Sequence, residues 1–253
     1  MFRLHLLALA LCTVAIGALC VQAQEAEPKP IDIVRKAVAA HGGEKNLSKY
    51  KAFTSKYKGT IDILGKEAAI NGEVSMDEPE KFKNVINLDF NGMQIEVILV
   101  YDGEKLWRKV LGKTQEITDE KEITEVQESL RAYWVAGLVP LLKGGYELSS
   151  VGEVKVKDKD AIGIRVSKKG QRDISLFFDK KTHMLVKTER RVVDTMNAQE
   201  VTQTDYYQDY QPLNGVQVAR RMVIHKDDKE FMNMEITESQ LFAKLDKSHF
   251  EKP

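Results

Sequence analysis

Five histidines and two cysteines are the side chains best suited to metal binding or nucleophilic chemistry in this chain, and their spacing favours neither. His41, His183, His225 and His249 are scattered, with no short-range ligand spacing, so a zinc-type site would need the fold to gather them. Cys12 and Cys20 fall within the first twenty residues, beside the fifth histidine, His5. There is no Gly-x-Ser-x-Gly elbow, no His-Glu-x-x-His pair and no phosphate-cradling glycine loop between strand and helix. Asp158-Lys159-Asp160 and Asp227-Asp228 offer carboxylates to calcium, but the flanking lysines mark them as hairpin turns. Paired carboxylates for acid–base catalysis do not stand out among 38 Asp and Glu residues. Tyr206-Tyr207 with Tyr210 is either a ligand platform or an aromatic strand pair. Nothing here makes a positive case for an enzyme, a cofactor or a metal.

The cysteines take their meaning from the N-terminus. Met1-Phe2-Arg3 is a short basic start, Leu4 to Val21 is an apolar run broken by His5, and Val21-Gln22-Ala23 fits the small-x-small pattern before a cleavage site. A transmembrane anchor would need about 20 apolar residues and suitable flanks, whereas a Glu/Pro/Lys-rich stretch from Gln24 to Pro30 follows. A lipoprotein signal would use Cys20, but bulky Leu19 stands where a small residue is wanted. The expectation is an export signal over residues 1–23, cleaved near Ala23, and one domain over 24–253, periplasmic or secreted. Such a mature chain has no cysteine, hence no disulfide or thiolate site.

The 253 residues carry 38 Lys+Arg against 38 Asp+Glu, which removes the basic footprint of a nucleic-acid binder and gives no support for electrostatic membrane attachment. With 43% hydrophobic and 30% charged residues the composition is that of a globular protein. After Pro28 and Pro30, the spacing of Ile31, Val34 and Val38 predicts a helix that His41-Gly42-Gly43 stops. From Phe53 the period changes to two, through Tyr57, Ile61 and Ile63, then Ile70, Val74 and Met76 up to the break at Asp77-Glu78-Pro79. Phe82, Ile86, Leu88 and Phe90 lead to an Asn91-Gly92 hairpin, and Met93 to Tyr101 leads to a second hairpin at Asp102-Gly103.

Asp119 to Leu142 returns to helical spacing through Ile123, Val126, Leu130, Tyr133, Trp134 and Leu138. Asp119 with Glu122 resembles a capping box, and Pro140 with Gly144-Gly145 ends the segment. This helix either packs plainly on a sheet or forms a lid over an apolar hollow. Alternating strands resume at Tyr146, with breaks at 157–160, 168–170, 179–182, Asn197, 212–215 and 226–229. The spacing leaves no room for crossover helices, so the strands, about ten or eleven in all, are antiparallel.

Several segments together resemble the exported LolA/LolB-like family, the outer-membrane lipoprotein-sorting proteins and their relatives. They are Ala40-His41-Gly42-Gly43 with Leu47, Lys58-Gly59, Val100-Tyr101-Asp102-Gly103-Glu104-Lys105-Leu106-Trp107, Phe178-Asp179-Lys180-Lys181-Thr182-His183-Met184-Leu185, and Lys244-Leu245-Asp246-Lys247-Ser248-His249-Phe250. The resemblance implies an α+β fold, mainly antiparallel β: one curved sheet of about eleven strands forming an unclosed half-barrel, covered by helices. It also implies a carrier whose apolar cavity holds lipid or lipoprotein acyl chains, with envelope membrane proteins as candidate partners and no nucleic acid. The apolar faces name the expected ligand-binding residues: Phe53, Tyr57, Ile61, Phe82, Leu88, Ile95, Val97, Leu99, Trp107, Leu130, Tyr133, Trp134 and Leu138. The rival reading is a non-catalytic interaction or envelope-sensor module whose hollow is filled by its own side chains.

Overall fold

Turn chemistry sets the architecture. Asn91 (φ 54°) and Gly92 (φ 78°) both occupy the left-handed region, the geometry of a two-residue turn that matches strand twist. The same geometry recurs where residue type does not advertise it, at Leu64-Gly65 and Leu111-Gly112, where each leucine has a positive φ (57° and 50°) and is left exposed. The computed structural model describes residues 28–77, 79–194 and 198–253. The expected export signal with Cys12 and Cys20, Glu78 of one expected break and the Asn197 turn lie outside those residues.

Helix α1 (Pro30–Ala40) and the short α2 (Glu44–Leu47) precede six strands: β1 (Ala52–Ile63), β2 (Lys66–Asp77), β3 (Lys81–Phe90), β4 (Met93–Tyr101), β5 (Leu106–Val110) and β6 (Lys113–Ile117). Helices α3 (Glu120–Ala136) and α4 (Val139–Leu142) follow. Then come β7 (Glu147–Val156), β8 (Lys159–Ser167), β9 (Ile174–Asp179), β10 (Leu185–Val193), β11 (Glu200–Leu213), β12 (Val216–Lys226) and β13 (Lys229–Phe242), and a 3₁₀ turn at Lys247–Phe250. All thirteen strands form one antiparallel sheet in the order β6-β5-β4-β3-β2-β1-β13-β12-β11-β10-β9-β8-β7. Two meanders are thus sewn together by the first and last strands, with Ala52 opposite Phe242 and Ile61 opposite Met232. Edges β6 and β7 do not pair, so the sheet is an unclosed half-barrel with helices across it.

Three expectations need correction. The strands number thirteen, not about eleven, because Lys113–Ile117 offers almost no apolar face and hides behind the Leu111-Gly112 turn. The helix expected over Asp119–Leu142 is broken at Gly137-Leu138, where Leu138 turns left-handed (φ 68°), and Pro140 lies in the first turn of α4 instead of ending a helix. The capping box is half formed: Asp119 Oδ1 accepts from the Lys121 and Glu122 N–H groups at 2.8 and 3.1 Å, but the Glu122 carboxylate turns away to Arg108.

The largest core lies at one side of the sheet. Ile33, Val34, Ala37 and Val38 of α1 and Val135, Leu138 and Leu141 around the α3–α4 break pack on Ile164, Val166, Ile174, Leu176, Phe178 and Leu185 of β8–β10. At the other side the first half of α3, with Ile123, Val126 and Leu130, packs on Met76, Tyr101, Leu106 and Ile117. Phe178 is fully buried. Phe178→Ala is expected to cost about 3–5 kcal/mol through lost transfer energy and an unfilled cavity. Urea titration of the two proteins checks this.

Candidate ligand-binding cavity

Between those two contacts α3 passes over the central strands without filling the space beneath it. The result is a cavity of about 660 Å³, within the range of about 300–1,000 Å³ usual for small-molecule sites. Phe53 and Tyr57 of β1, Phe82 of β3, Leu99 of β4, Leu130 and Tyr133 of α3 and Leu138 at the helix break all line it. So do Met222 and Ile224 of β12 and Met232, Met234 and Ile236 of β13, which sequence reasoning did not assign to a site. Their alternation was visible, but only the β1–β13 pairing puts it beside Tyr57.

Tyr57 owes its position to a glycine. A Cβ at Gly72 on β2 would collide with the Val85 carbonyl and with the Tyr57 ring, so the missing side chain is what lets the ring lie across β2. Its hydroxyl donates to Asn84 Oδ1 at 2.9 Å, which fixes the phenol to the cavity wall. Burial pushes the phenol pKa of both Tyr57 and Tyr133 up to about 12, and raises those of Tyr207 and Tyr210 also. These phenols stay protonated at neutral pH and act as donors, not bases.

Six expected residues fall elsewhere. Trp107 points to the opposite face of the sheet, where it packs with Ala52, Val100, Leu245 and Phe250; its neighbour Leu106 takes the helix-facing position. The pair Leu106-Trp107 is apolar in both phases, so alternation alone did not choose the face. Ile61 and Leu88 pack around Ile70 and Met232 toward the hairpin tips, and Ile95 and Val97 continue that row along β4, paired with Leu88 and Ile86. They share the face but not the cavity. Trp134 lines a separate hollow of about 160 Å³ with Tyr50, Ala52 and Pro140.

The tyrosine cluster divides. Tyr206 lies edge-on to His225 with ring centres 5.1 Å apart, whereas Tyr207 and Tyr210 both line the cavity. Asp209, left-handed at φ 55°, interrupts the alternation between them.

The polar side of the cavity is built on α3 and β10–β11. Glu125 of α3 accepts both Arg172 nitrogens at 2.7 and 2.5 Å and the Val193 N–H at 3.0 Å, which ties the helix to the β8–β9 loop and to β10. Burial opposes the Glu125 charge, but those bonds and the positive field of Arg172 and Arg190 outweigh it and hold the carboxyl below its ordinary range. On β11, Asp205 is buried, accepting from Gln203 Nε2 at 2.8 Å and Thr188 Oγ1 at 3.3 Å. Burial raises its pKa despite those bonds and the attraction of Arg190. Arg190 itself is 8% exposed and lines the cavity.

Among the described residues no group of three His, Cys, Asp or Glu side chains is placed to hold a metal ion. His41 is structural. Its Nδ1–H donates to the Ala37 carbonyl at 2.8 Å, its Nε2 accepts the Leu185 N–H at 3.4 Å, and Tyr210 meets it edge-on while donating to the Leu185 carbonyl at 2.8 Å. This neutral ring ties the end of α1 to β10.

No protein-family model matches the chain, and no curated protein matches it. Solved structures do match its shape. A DUF1329 family protein from Desulfovibrio piger superposes with a TM-score of 0.57 at 12% identity, covering 88% of this chain and 98% of that one. A LolA superfamily protein from Nitrosomonas europaea gives 0.52 at 12% identity, covering 89% and 98%. A Vibrio parahaemolyticus domain described as outer membrane lipoprotein-sorting gives 0.51 at 11% identity, covering 88% and 96%. The fold of this chain is LolA-like.

Burial lowers the His41 pKa from its ordinary 6.5, the Ala37 hydrogen bond opposing in part. The unfolded chain therefore takes up the proton first as pH falls. The stability held by neutral His41 is complete above about 6.5 and is lost as pH drops from there toward the folded value. His41→Gln is expected to be less stable than the parent at pH 8, with the gap narrowing by pH 5. Chemical denaturation of both proteins across that span checks it.

Proposed function

We propose that this protein is a carrier, working outside the cytoplasm, that takes an acyl chain of a lipid or lipoprotein into the cavity between its curved sheet and α3. The observation that carries the reading is the cavity itself: a void of about 660 Å³ walled by Phe53, Phe82, Leu99, Leu130 and the methionines of β12 and β13. An acyl chain that enters it leaves water at a gain of about 0.8 kcal/mol per buried CH₂. Likeness in fold to a LolA superfamily protein and to a domain described as lipoprotein-sorting supports the same reading, as does the apolar run before Ala23. A sensor module with a self-filled core fits less well, because the space beneath α3 is not filled. Most of the wall is apolar side chains and protonated phenols, and its carboxylates Glu122 and Glu125 are engaged by Arg108 and Arg172, which suits holding a ligand rather than transforming it.

Native mass spectrometry of the protein purified from its own envelope fraction is expected to show a co-purifying acyl species. Once stripped, the protein is expected to bind a fluorescent fatty acid, and Met222→Trp, which puts an indole into the cavity and narrows it, to weaken that binding by about tenfold or more with little change in melting temperature. Absence of both a co-purifying lipid and fatty-acid binding overturns the reading.

A further inference from the structure

One charged side chain on the cavity wall lacks hydrogen-bonding partners for two of its nitrogens. Arg190 is 8% exposed, and its Nε and Nη1 atoms are buried with no hydrogen-bond partner. The two carboxylates whose fields reach it are committed elsewhere. Glu125 is held by Arg172 and the Val193 N–H, and the two oxygens of Asp205 take their protons from Gln203 and Thr188. Among the described residues none forms a salt bridge with Arg190, although twelve such pairs occur elsewhere. A buried charge without a contacting partner is costly, and a guanidinium cannot shed its proton to escape that cost. Arg131, equally buried, has one nitrogen, Nη1, without a partner but is neutralised by a salt bridge, bonding Glu128 through Nε and Nη2 at 3.2 and 2.8 Å.

We propose that Arg190 is the recognition site for an oxyanion headgroup on the acyl ligand, so that the cargo is an anionic amphiphile whose carboxylate or phosphate enters the cavity with its chain. The inference rests on the carrier reading and narrows it. An uncharged acyl-glyceryl anchor leaves Arg190 unanswered, whereas a planar guanidinium matches carboxylate or phosphate oxygens with paired, charge-assisted hydrogen bonds. The protonated phenol of Tyr133, which shares the field of Arg190 and Asp205, stands on the same wall as a donor.

The test is calorimetric titration of the stripped, full-length mature protein with palmitate, hexadecyl phosphate and hexadecanol. At least one anion is expected to bind the parent about tenfold or more tighter than the alcohol, the fold-change that one charged hydrogen bond supplies. Arg190→Gln is expected to lower anion affinity to that of hexadecanol and to leave hexadecanol unchanged; Arg190→Lys is expected to keep part of the preference. Palmitate alone binding tightly identifies a free fatty acid, and hexadecyl phosphate alone a phospholipid-type head. Equal affinity of the parent for all three overturns the inference, as does an Arg190→Gln protein that keeps its preference. If Arg190→Gln does not fold, the parent comparison and Arg190→Lys decide. Hexadecanol binding without anion preference sinks this inference alone, whereas failure of all three ligands to bind sinks the carrier reading with it.

Discussion

The segment joining β6 to β7 has to cross the whole open face of the sheet, and the rest of the architecture follows from that constraint. Thirteen strands at about 4.8 Å spacing would span nearly 60 Å if laid flat, whereas the seventeen residues of α3 make a rod of only about 25 Å. The first half of that rod is packed on β2, β4, β5 and β6, and its end, with α1, on β8–β10. Both contacts hold only if the sheet curls until its flanks come within reach of one short helix. The middle strands, β1, β13, β12 and β11, then lie at the bottom of the curve, where side chains such as Phe53 of β1 still reach the α3 cluster but do not fill the space beneath it. The cavity is the geometric remainder of a short strut on a wide sheet.

Polar anchors make the strut stay. A helix spanning a void has fewer apolar contacts per turn than one laid on a flat core, so its position depends more on directed bonds. Glu125 supplies them in one direction, gripping Arg172 and the Val193 N–H, and Arg131 with Glu128 adds a second clasp to the same loop through the Arg172 carbonyl. On the other flank Glu122 meets Arg108 of β5. The helix face that carries Leu130 and Tyr133 into the cavity therefore carries Glu122 and Glu125 too, about two turns earlier. Val126 and Ser129, which also line the cavity, stand four positions after Glu122 and Glu125, the spacing of one helix face.

The sequence made local structure legible and left long-range pairing dark. Period-two runs and the Asn91-Gly92 turn announced antiparallel hairpins, and the helical spacing of Ile31 to Val38 and of Ile123 to Trp134 announced the two main helices. What it could not announce was that β1 pairs with β13 almost two hundred residues away in the chain, because alternation states that a strand has a wet face and says nothing of its neighbour. That pairing places Met232, Met234 and Ile236 beside Tyr57, so half of the cavity wall was invisible although its residues were seen as a strand. Trp107 and Trp134 misled for a related reason. Large aromatics invite assignment to a ligand site, yet each sits beside another apolar residue and can serve either face. Arg190 was missed because a charged residue in a strand reads as solvent-facing, and only the curvature over it removes the water.

The mixture of side chains around the cavity explains how such a hollow can persist and still discriminate. Rigid groups define its frame: Tyr57 is pinned through Asn84 and seated over Gly72, and Tyr210 is held to the Leu185 carbonyl. Between them lie Met222, Met232 and Met234, and unbranched thioethers adapt more readily than branched side chains to a change in what they pack against. An apolar wall of this kind is tolerant by nature, since one methylene more or less is worth only about 0.8 kcal/mol. In the proposed carrier, shape alone would therefore select weakly among acyl chains. A buried guanidinium in the same wall would, on the proposed reading, select more strongly, because leaving it unpaired costs more than any single methylene returns. In a domain whose formal charges cancel overall, a buried guanidinium with two unpartnered nitrogens is a local exception on the cavity wall.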